Sequence, residues 1–234
     1  MSSKKIVPAV HYSVDASQTH SHLFKVSLHI VAPQAGQVVS LPVWIPGSYL
    51  VREFAKNLQS LKATHGGKAV AIHQDHKSQW HIQCKEGQDL QLSYEVYAFD
   101  NSVRSAWLDT QRGFFNGTSL CLRVHGQEER AHALTLTAIK GSSWLAATGL
   151  QATKVNKQGF GDYVAANYDE LVRRPEQFYR SLMRIEIPPQ IFRLVQQFSL
   201  IPVVQCSLAI YRAISSCCAF QTKLQLRSLL ELAG

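Results

Sequence analysis

The alternation of apolar and polar residues over the first 150 or so positions most strongly limits what this chain can fold into. In residues 23–30, apolar side chains occupy every second position from Phe24 to Ile30, with polar side chains such as Lys25 between them. Because successive side chains of a β-strand point to opposite faces, this segment is predicted to be a strand with one apolar face. The same alternation recurs in residues 90–96, 120–125 and 134–137.

Turn signals separate these alternating segments. Ala35-Gly36, Gly66-Gly67 and Lys140-Gly141 lie between them, and glycine accepts a positive φ without a steric penalty. No comparable helical stripe interrupts the pattern before about residue 165. Many short strands, each with one apolar face, are typical of a two-sheet antiparallel β-sandwich. We therefore predict an all-β domain over residues 1–165, for which an apolar content of 46% supplies a sufficient core.

Composition excludes several classes of protein. The net charge of +8 comes from scattered Lys and Arg, without the clustered basic stripe typical of nucleic-acid binding, so no nucleic-acid partner is expected. Five cysteines without a C-x-x-C pair indicate neither a disulfide framework nor a thiolate zinc site. Lys4 and Lys5 are not followed by an apolar run, which argues against a secretory signal and favours a reducing cytoplasm.

The zinc-binding helix of a metallopeptidase has no counterpart in the sequence. None of the ten histidines is followed by Glu, so no H-E-x-x-H motif places two imidazoles one helical turn apart with a general base between them. Other groupings, such as His20 and His22 with His73, His76 and His81, are interpreted as exposed strand residues rather than ligands. The sequence thus predicts no catalytic residue and no metal site within this chain.

Four stretches combine residues of special geometry or chemistry. They cover residues 44–54, 109–120, 144–150 and 166–175. None supplies a nucleophile, a base and an orienting group together, so each is interpreted as structural. The residues singled out for this structural role are Trp44, Pro46, Gly47, Ser48, Tyr49, Arg52, Asn167 and Tyr168.

Taken in order, the four stretches resemble the N-terminal domain of the glycyl aminopeptidases, PDZ-containing zinc metallopeptidases of bacteria. The matching patterns are W-x-P-G-S-Y-x-x-R-x-F, D-x-x-R-x-F-F-N-G-T-S-L, W-x-x-A-T-G-L and A-N-Y-D-E-L-x-x-x-P, and the resemblance covers roughly residues 8–178. It implies a β-sandwich that abuts a thermolysin-like catalytic domain, in which H-E-x-x-H and a later glutamate hold zinc. A PDZ domain follows in that family.

The resemblance implies a non-catalytic role for this chain. Zinc belongs to the intact family, and the expected partners are the missing catalytic domain of the same protein and, in the intact family, peptides. By analogy with other aminopeptidases, Asn116 and Thr118 are predicted to face the substrate, although Asn116-Gly117 also fits an ordinary hairpin turn. The alternative function is a stand-alone β-sandwich module that binds a peptide or carbohydrate.

Composition changes abruptly near residue 180. Residues 166–180 are predicted to be a linker or the start of the catalytic domain, whereas residues 181–234 contain no Asp, Asn, His or Trp and only a terminal Gly. We favour a lost reading frame, which would make the chain a frameshifted fragment. A short helical appendage, suggested by the spacing of Ile191, Leu194, Val195 and Phe198, stays open. The apolar run 198–211 contains Pro202 and is shorter than the ~20 residues of a spanning helix, so no membrane insertion is expected.

Overall fold

Three of the four alternating segments form strands in the computed structural model, which describes residues 8–45, 49–102, 104–173 and 176–179. The strand predicted over residues 120–125 is wrong except at residues 123–124, because residue 120 ends a short helix and the carbonyls of residues 120–122 accept hydrogen bonds from buried tyrosines instead of a neighbouring strand. These residues contain sixteen strands and two short α-helices. The strands are β1 (Val10–Gln18), β2 (Leu23–Ile30), β3 (Val38–Ser40), β4 (Leu58–His65), β5 (Lys68–Val70), β6 (Ile72–His76), β7 (Gln79–Ile82), β8 (Leu90–Tyr97), β9 (Ala106–Leu108), β10 (Arg112–Phe115), β11 (Arg123–Val124), β12 (His132–Thr137), β13 (Leu145–Thr148), β14 (Gln151–Val155), β15 (Gly161–Ala165) and β16 (Glu176–Tyr179). The helices are α1 (Gly117–Leu120) and α2 (Tyr168–Arg173), and a 3-10 turn spans Phe54–Asn57.

The largest sheet has eight strands in the order β14-β15-β12-β1-β2-β8-β4-β5. Its neighbouring strands run antiparallel except β1 and β12, which are parallel. In β2 every second residue from Phe24 onward is buried, as the alternation predicts. Val26 lies opposite Val14 of β1 on one side and Tyr94 of β8 on the other, so the buried side chains of three strands lie in register.

Two four-stranded antiparallel sheets accompany it, with the orders β11-β3-β7-β6 and β13-β16-β10-β9. Their buried side chains, such as Val39 and Phe115, belong to the same hydrophobic core as those of the large sheet. The ring of Phe115 meets that of Phe24 edge-to-face at 5.3 Å. The predicted all-β antiparallel sandwich is confirmed, and the described residues divide it among three sheets. None of the described helices has the length and apolar character needed to cross a membrane.

Three buried tyrosines connect the large sheet and α2 to residues 120–122, at the end of α1. The hydroxyls of Tyr12, Tyr94 and Tyr168 donate hydrogen bonds to the backbone carbonyl oxygens of residues 122, 120 and 121, at 2.6, 2.7 and 2.8 Å. Burial raises the pKa of each phenol well above its ordinary value, so all three stay neutral donors. Three successive carbonyls are thereby satisfied inside the core without a sheet partner.

The core continues past residue 165 into α2. Tyr168 is 5% exposed and Leu171 is fully buried. A helix of six residues is not stable by itself, so α2 depends on the burial of these two side chains. The domain boundaries predicted at residues 165 and 180 stay predictions. The tail of residues 181–234, on which the frameshift and helical-appendage hypotheses rest, lies outside the described residues.

Candidate functional site: a cavity between three sequence stretches

A cavity of about 550 Å³ brings together residues that are far apart in the sequence. Its wall combines the segment that follows β3, the start of α1, the segment around β11, and α2. The lining residues are Ser40, Pro42, Trp44, Ile45, Asn116, Thr118, Arg123, Glu128, Glu129, Tyr168, Asp169, Val172 and Arg173. Both predicted substrate-binding residues, Asn116 and Thr118, therefore lie in one cavity with Trp44 and Tyr168, which sequence reasoning had treated as structural.

Asn116 occupies the N-cap position of α1 rather than a hairpin turn. Its backbone is extended, with φ −100° and ψ 133°, and its side chain makes no capping hydrogen bond. Its N–H donates to the carbonyl oxygen of Ser105 at 3.1 Å, and the Ser119 hydroxyl donates to its carbonyl oxygen at 2.7 Å. The backbone of Asn116 is thus held on both sides, while its carboxamide lines the cavity. The Thr118 hydroxyl lies 3.4 Å from the side-chain oxygen of that carboxamide.

Gly117 allows α1 and α2 to approach closely. A Cβ at this position would lie 2.9 Å from the Cα of Val172 and 3.1 Å from the carbonyl oxygen of Leu171. Both are backbone atoms, so no side-chain rotation could relieve the overlap. The glycine that looked like part of a turn in the sequence is therefore required by a contact with a helix fifty residues later. Sequence pattern carries no signal of that contact.

The N-terminus of α2 is fixed by the A-N-Y-D-E-L stretch. The Asn167 side-chain oxygen accepts a hydrogen bond from the Glu170 N–H at 2.8 Å, and the Glu170 carboxylate accepts one from the Ala166 N–H at 2.9 Å. This reciprocal arrangement resembles a capping box and satisfies donors that the helix itself leaves open. The structural role predicted for Asn167 thus has a physical basis, and Tyr168 follows it directly into the core.

Charges on the cavity wall are mostly paired. Arg123 meets Glu128 at 3.0 Å between Nε and Oε1, and Arg173 meets Asp169 at 3.1 Å between Nη2 and Oδ2. Burial raises the pKa of Glu128, but hydrogen bonds from backbone N–H groups and the Arg123 guanidinium outweigh it, so the net pKa is lowered. With the exposed Glu129, the wall carries three carboxylates and two guanidiniums.

Ser40 and His125 form a pair that sequence reasoning missed. The Ser40 Oγ and His125 Nε2 lie 2.8 Å apart across β3 and the end of β11. Burial, followed by the charge of Arg123, lowers the pKa of His125, so the imidazole is largely neutral at pH 7. A serine nucleophile also needs its base to be oriented by a third group. Among the described contacts no carboxylate hydrogen-bonds Nδ1 of His125, and we interpret the pair as a cross-strand structural contact.

The described residues of the first motif stretch include several exposed apolar side chains. Trp44 is 52% exposed at the cavity rim, and Tyr49, Leu50 and Val51 are also exposed. The Arg52 N–H donates to the carbonyl oxygen of Val43 at 2.6 Å. Pro46, Gly47 and Ser48, to which a structural role was also assigned, lie outside the described residues.

The other tryptophans do not share this surface property. Trp144 is 4% exposed and belongs to the core. Trp107 stacks on Phe99 with 4.3 Å between ring centroids, and the Arg112 guanidinium lies 5.4 Å from the centre of its ring. The rings of Trp107 and Phe99 therefore cover each other, as expected for aromatic packing.

The described residues contain histidines and carboxylates that could in principle bind a metal ion. Across them, no group of three or more His, Cys, Asp or Glu side chains could hold a metal ion. His22, one of the histidines considered from the sequence, instead contacts the carbonyl oxygen of Leu108 through Nδ1 at 2.5 Å and packs on Phe99 at 4.0 Å. The described residues therefore do not fit a zinc site.

Comparisons with known proteins support the resemblance found in the sequence. The family model described as the peptidase M61 N-terminal domain matches residues 11–178. A crystal structure of an aminopeptidase N family protein from Idiomarina loihiensis is 38% identical, with a TM-score of 0.70 over 73% of this chain and 29% of that chain. This chain therefore spans under a third of the Idiomarina protein. No curated protein matches.

Two further structures show a weaker likeness. An M1 zinc metallopeptidase from Deinococcus radiodurans is 11% identical, with a TM-score of 0.43 over 74% of this chain and 42% of that one. Legionella pneumophila aminopeptidase A, solved in complex with aspartic acid, is 8% identical, with a TM-score of 0.44 over 74% of this chain and 21% of its own. At TM-scores below 0.5, these two likenesses add nothing to the assignment.

Proposed function

Because the chain belongs to the peptidase M61 N-terminal domain family, we propose that its described residues form a non-catalytic unit that walls the substrate cleft of a zinc aminopeptidase. The observation that carries this proposal is the convergence of Trp44, Asn116, Thr118 and Tyr168, from three of the four family stretches, on one cavity. A volume of about 550 Å³ lies within the range of pockets that bind small ligands.

Asn116 and Thr118 are the groups through which the wall contacts a peptide. A carboxamide and a hydroxyl can each donate and accept hydrogen bonds, which suits the amino and carbonyl groups of a peptide end. The backbone contacts of Asn116 hold this polar pair in place while the side chain is not used for capping. A polar group fixed in advance in this way binds at a lower entropic cost.

Exposed apolar side chains support docking of a catalytic domain beside the cavity. Val43, Trp44, Leu50 and Val51 are all more than 40% exposed and lie close together in the sequence. Exposed apolar patches are typical of interaction sites in soluble proteins. We assign zinc and the catalytic base to that domain, since the described residues hold neither, and we propose that the chain by itself does not hydrolyse peptides. A cytoplasmic location is part of the same proposal.

A domain exchange tests the proposal. In a family member that hydrolyses glycyl anilides, the N-terminal unit is replaced by residues 1–179 of this chain, and kcat and KM are measured. We expect the chimera to be active and Asn116→Ala to lower kcat/KM about tenfold, roughly 1.4 kcal/mol of transition-state binding. Thr118→Val is expected to have a smaller effect in the same direction.

Matched controls lie away from the cavity. Thr153→Val makes the same chemical change as Thr118→Val on the exposed strand β14, where the hydroxyl only contacts the backbone of residue 162. It should leave the kinetics unchanged. If Asn116→Ala and Thr118→Val are both as active as Thr153→Val, the cavity has no part in substrate binding. Micromolar binding of a peptide or carbohydrate by the isolated chain would instead favour a stand-alone binding module.

A further inference from the structure

His132 is a buried histidine at the point where α2 rests on the large sheet. It is the first residue of β12 and is fully buried, with Val10 of β1 and Ala165 of β15 as its strand partners. Its ring packs against Tyr168, the first residue of α2, at 5.8 Å between centroids. A change in the protonation of His132 therefore directly affects the packing of α2.

The two ring nitrogens have different surroundings. Nδ1 lies 2.7 Å from the carbonyl oxygen of Arg130, and only a protonated nitrogen can donate to a carbonyl. The neutral ring accordingly carries its proton on Nδ1 and a lone pair on Nε2. Nε2 is buried and has no hydrogen-bond partner among the described residues. A second proton on Nε2 would create a buried N–H⁺ without an acceptor, which the fold disfavours.

The titratable groups that face the ring come from three elements. From β1, Tyr12 stacks on the His132 ring with 6.0 Å between centroids and an interplanar angle of 11°. His11, also in β1, disfavours a positive charge on His132. From α2, Tyr168 stays neutral because burial raises its pKa. From the segment before β12, the Glu128 carboxylate favours a charged ring. Burial outweighs Glu128 and the Arg130 carbonyl, so the pKa of His132 is lowered from its ordinary value.

The attachment of α2 is the weakest of the contacts around His132. β1, β12 and β15 are held by continuous ladders, whereas α2 has six residues and two buried side chains. The Tyr168 N–H donates to the carbonyl oxygen of Glu128 at 2.8 Å, which ties the helix to the same segment. Local opening at the element with the least burial is the least costly way to bring water to Nε2.

We propose that protonation of His132 releases α2 from the sheet, so that acid opens one side of the cavity. Tyr168, Asp169, Val172 and Arg173 all line the cavity, and α2 also supports Gly117. Release of α2 would therefore remove one wall of the cavity and the helix that packs against the N-terminus of α1, where Asn116 lies. The opening does not depend on what the cavity binds, so it can be tested separately from the proposed function.

The direction of the pH dependence follows from the lowered pKa. In the closed form, α2 packs on the sheet and His132 resists protonation. In the open form, α2 is released and the pKa of His132 returns to the ordinary value of ~6.5. The closed form is thus fully stabilised above about pH 6.5 and loses stability as the pH falls toward the lower pKa of the closed form. Between these two values the opening equilibrium changes about tenfold per pH unit.

Hydrogen–deuterium exchange of the full chain tests the proposal. Protection of the amides in Tyr168–Arg173, corrected for intrinsic exchange rates, is compared at pH 7.5 and pH 5.5. We expect this protection to be lower at pH 5.5, by at most about tenfold, because that pH lies about one unit below the ordinary histidine pKa of ~6.5. Amides of β2 should change less than about twofold, since β2 lies in the stable centre of the sheet. Equal losses in both segments would show global unfolding and overturn the proposal.

Two variants assign the effect to His132. His132→Asn keeps a donor for the Arg130 carbonyl but cannot titrate, and the pH dependence of α2 protection should disappear. His73→Asn, at an exposed histidine of β6, should show the same fall in α2 protection as the unmodified chain. A fall of the same size in His132→Asn would contradict the proposal.

A titration of the unmodified chain remains decisive if His132→Asn does not fold. Imidazole nitrogen NMR should show His132 with its proton on Nδ1 at pH 7.5, and its protonation should accompany the loss of Tyr168 amide protection. Protonation near the ordinary pKa of ~6.5 while the Tyr168 amide stays protected would overturn the proposal.

Discussion

The centre of the large sheet and the wall of the cavity belong to one core but are built differently. In β1, β2 and β8, strands of eight or nine residues bury every second side chain against neighbours in register. The cavity wall contains helices of four and six residues, held by contacts between positions far apart in the sequence. The centre is therefore stabilised by many redundant contacts, whereas the wall depends on a few specific ones and is the easier region to perturb.

The largest effect is expected at the centre. Phe24 is fully buried and packs edge-to-face on Phe115. Phe24→Ala should lower the free energy of unfolding by about 3–5 kcal/mol, since it leaves a cavity that strands held on both sides cannot close. Urea denaturation measures the change. Lys25→Ala, at the next and exposed position, should stay within about 0.5 kcal/mol. Similar losses for both variants would remove the distinction between the faces of β2.

A smaller but more local effect is expected at the wall. In Gly117→Ala, the new Cβ would meet the backbone of α2, so the helix has to shift. We expect a loss of about 1–3 kcal/mol, typical of overpacking. Hydrogen exchange should report it mainly in Tyr168–Arg173, with little change in β8. Unchanged protection of α2 in this variant would mean that the contact between the two helices is not needed to hold the wall.

The buried tyrosines offer a direct comparison of the two regions by one chemical change. Tyr12→Phe and Tyr168→Phe each remove a hydroxyl that donates to a buried carbonyl. Each should cost about 1 kcal/mol. We expect Tyr12→Phe to lower global stability measured by denaturation, and Tyr168→Phe to increase exchange only in α2. If Tyr168→Phe lowers global stability as much as Tyr12→Phe does, the wall is as cooperative as the sheet.

Local sequence pattern was sufficient to predict the centre. The alternation in residues 23–30 and 90–96 specifies which side chains of β2 and β8 are buried, because strand geometry relates every second position. It could not predict that β1 pairs in parallel with β12, or that β10 and β13 both pair with β16, because register between distant strands depends on tertiary contacts.

The candidate site was predictable only in part. Asn116 and Thr118 were selected by analogy with related enzymes, and the structure places both in the cavity. Sequence reasoning missed the contributions of Arg123, Glu128 and Val172, because single charged or apolar residues in short elements carry no periodic signal. The role of Gly117 was also missed, since glycine before a strand or helix is usually explained by its own backbone rather than by a distant partner.

We propose that this chain provides a wall for a substrate cleft, whereas the catalytic centre lies in another domain. Peptide hydrolysis by zinc aminopeptidases requires a metal held by about three protein ligands, with a carboxylate to accept the proton of the attacking water. The described residues provide no such ligand group, and the sequence contains no H-E-x-x-H. The most direct test is metal analysis of the dialysed chain together with a glycyl-anilide assay, on protein produced in a host that lacks such an enzyme. We predict no stoichiometric zinc and no turnover, whereas one retained equivalent of zinc with chelator-sensitive hydrolysis would contradict the account.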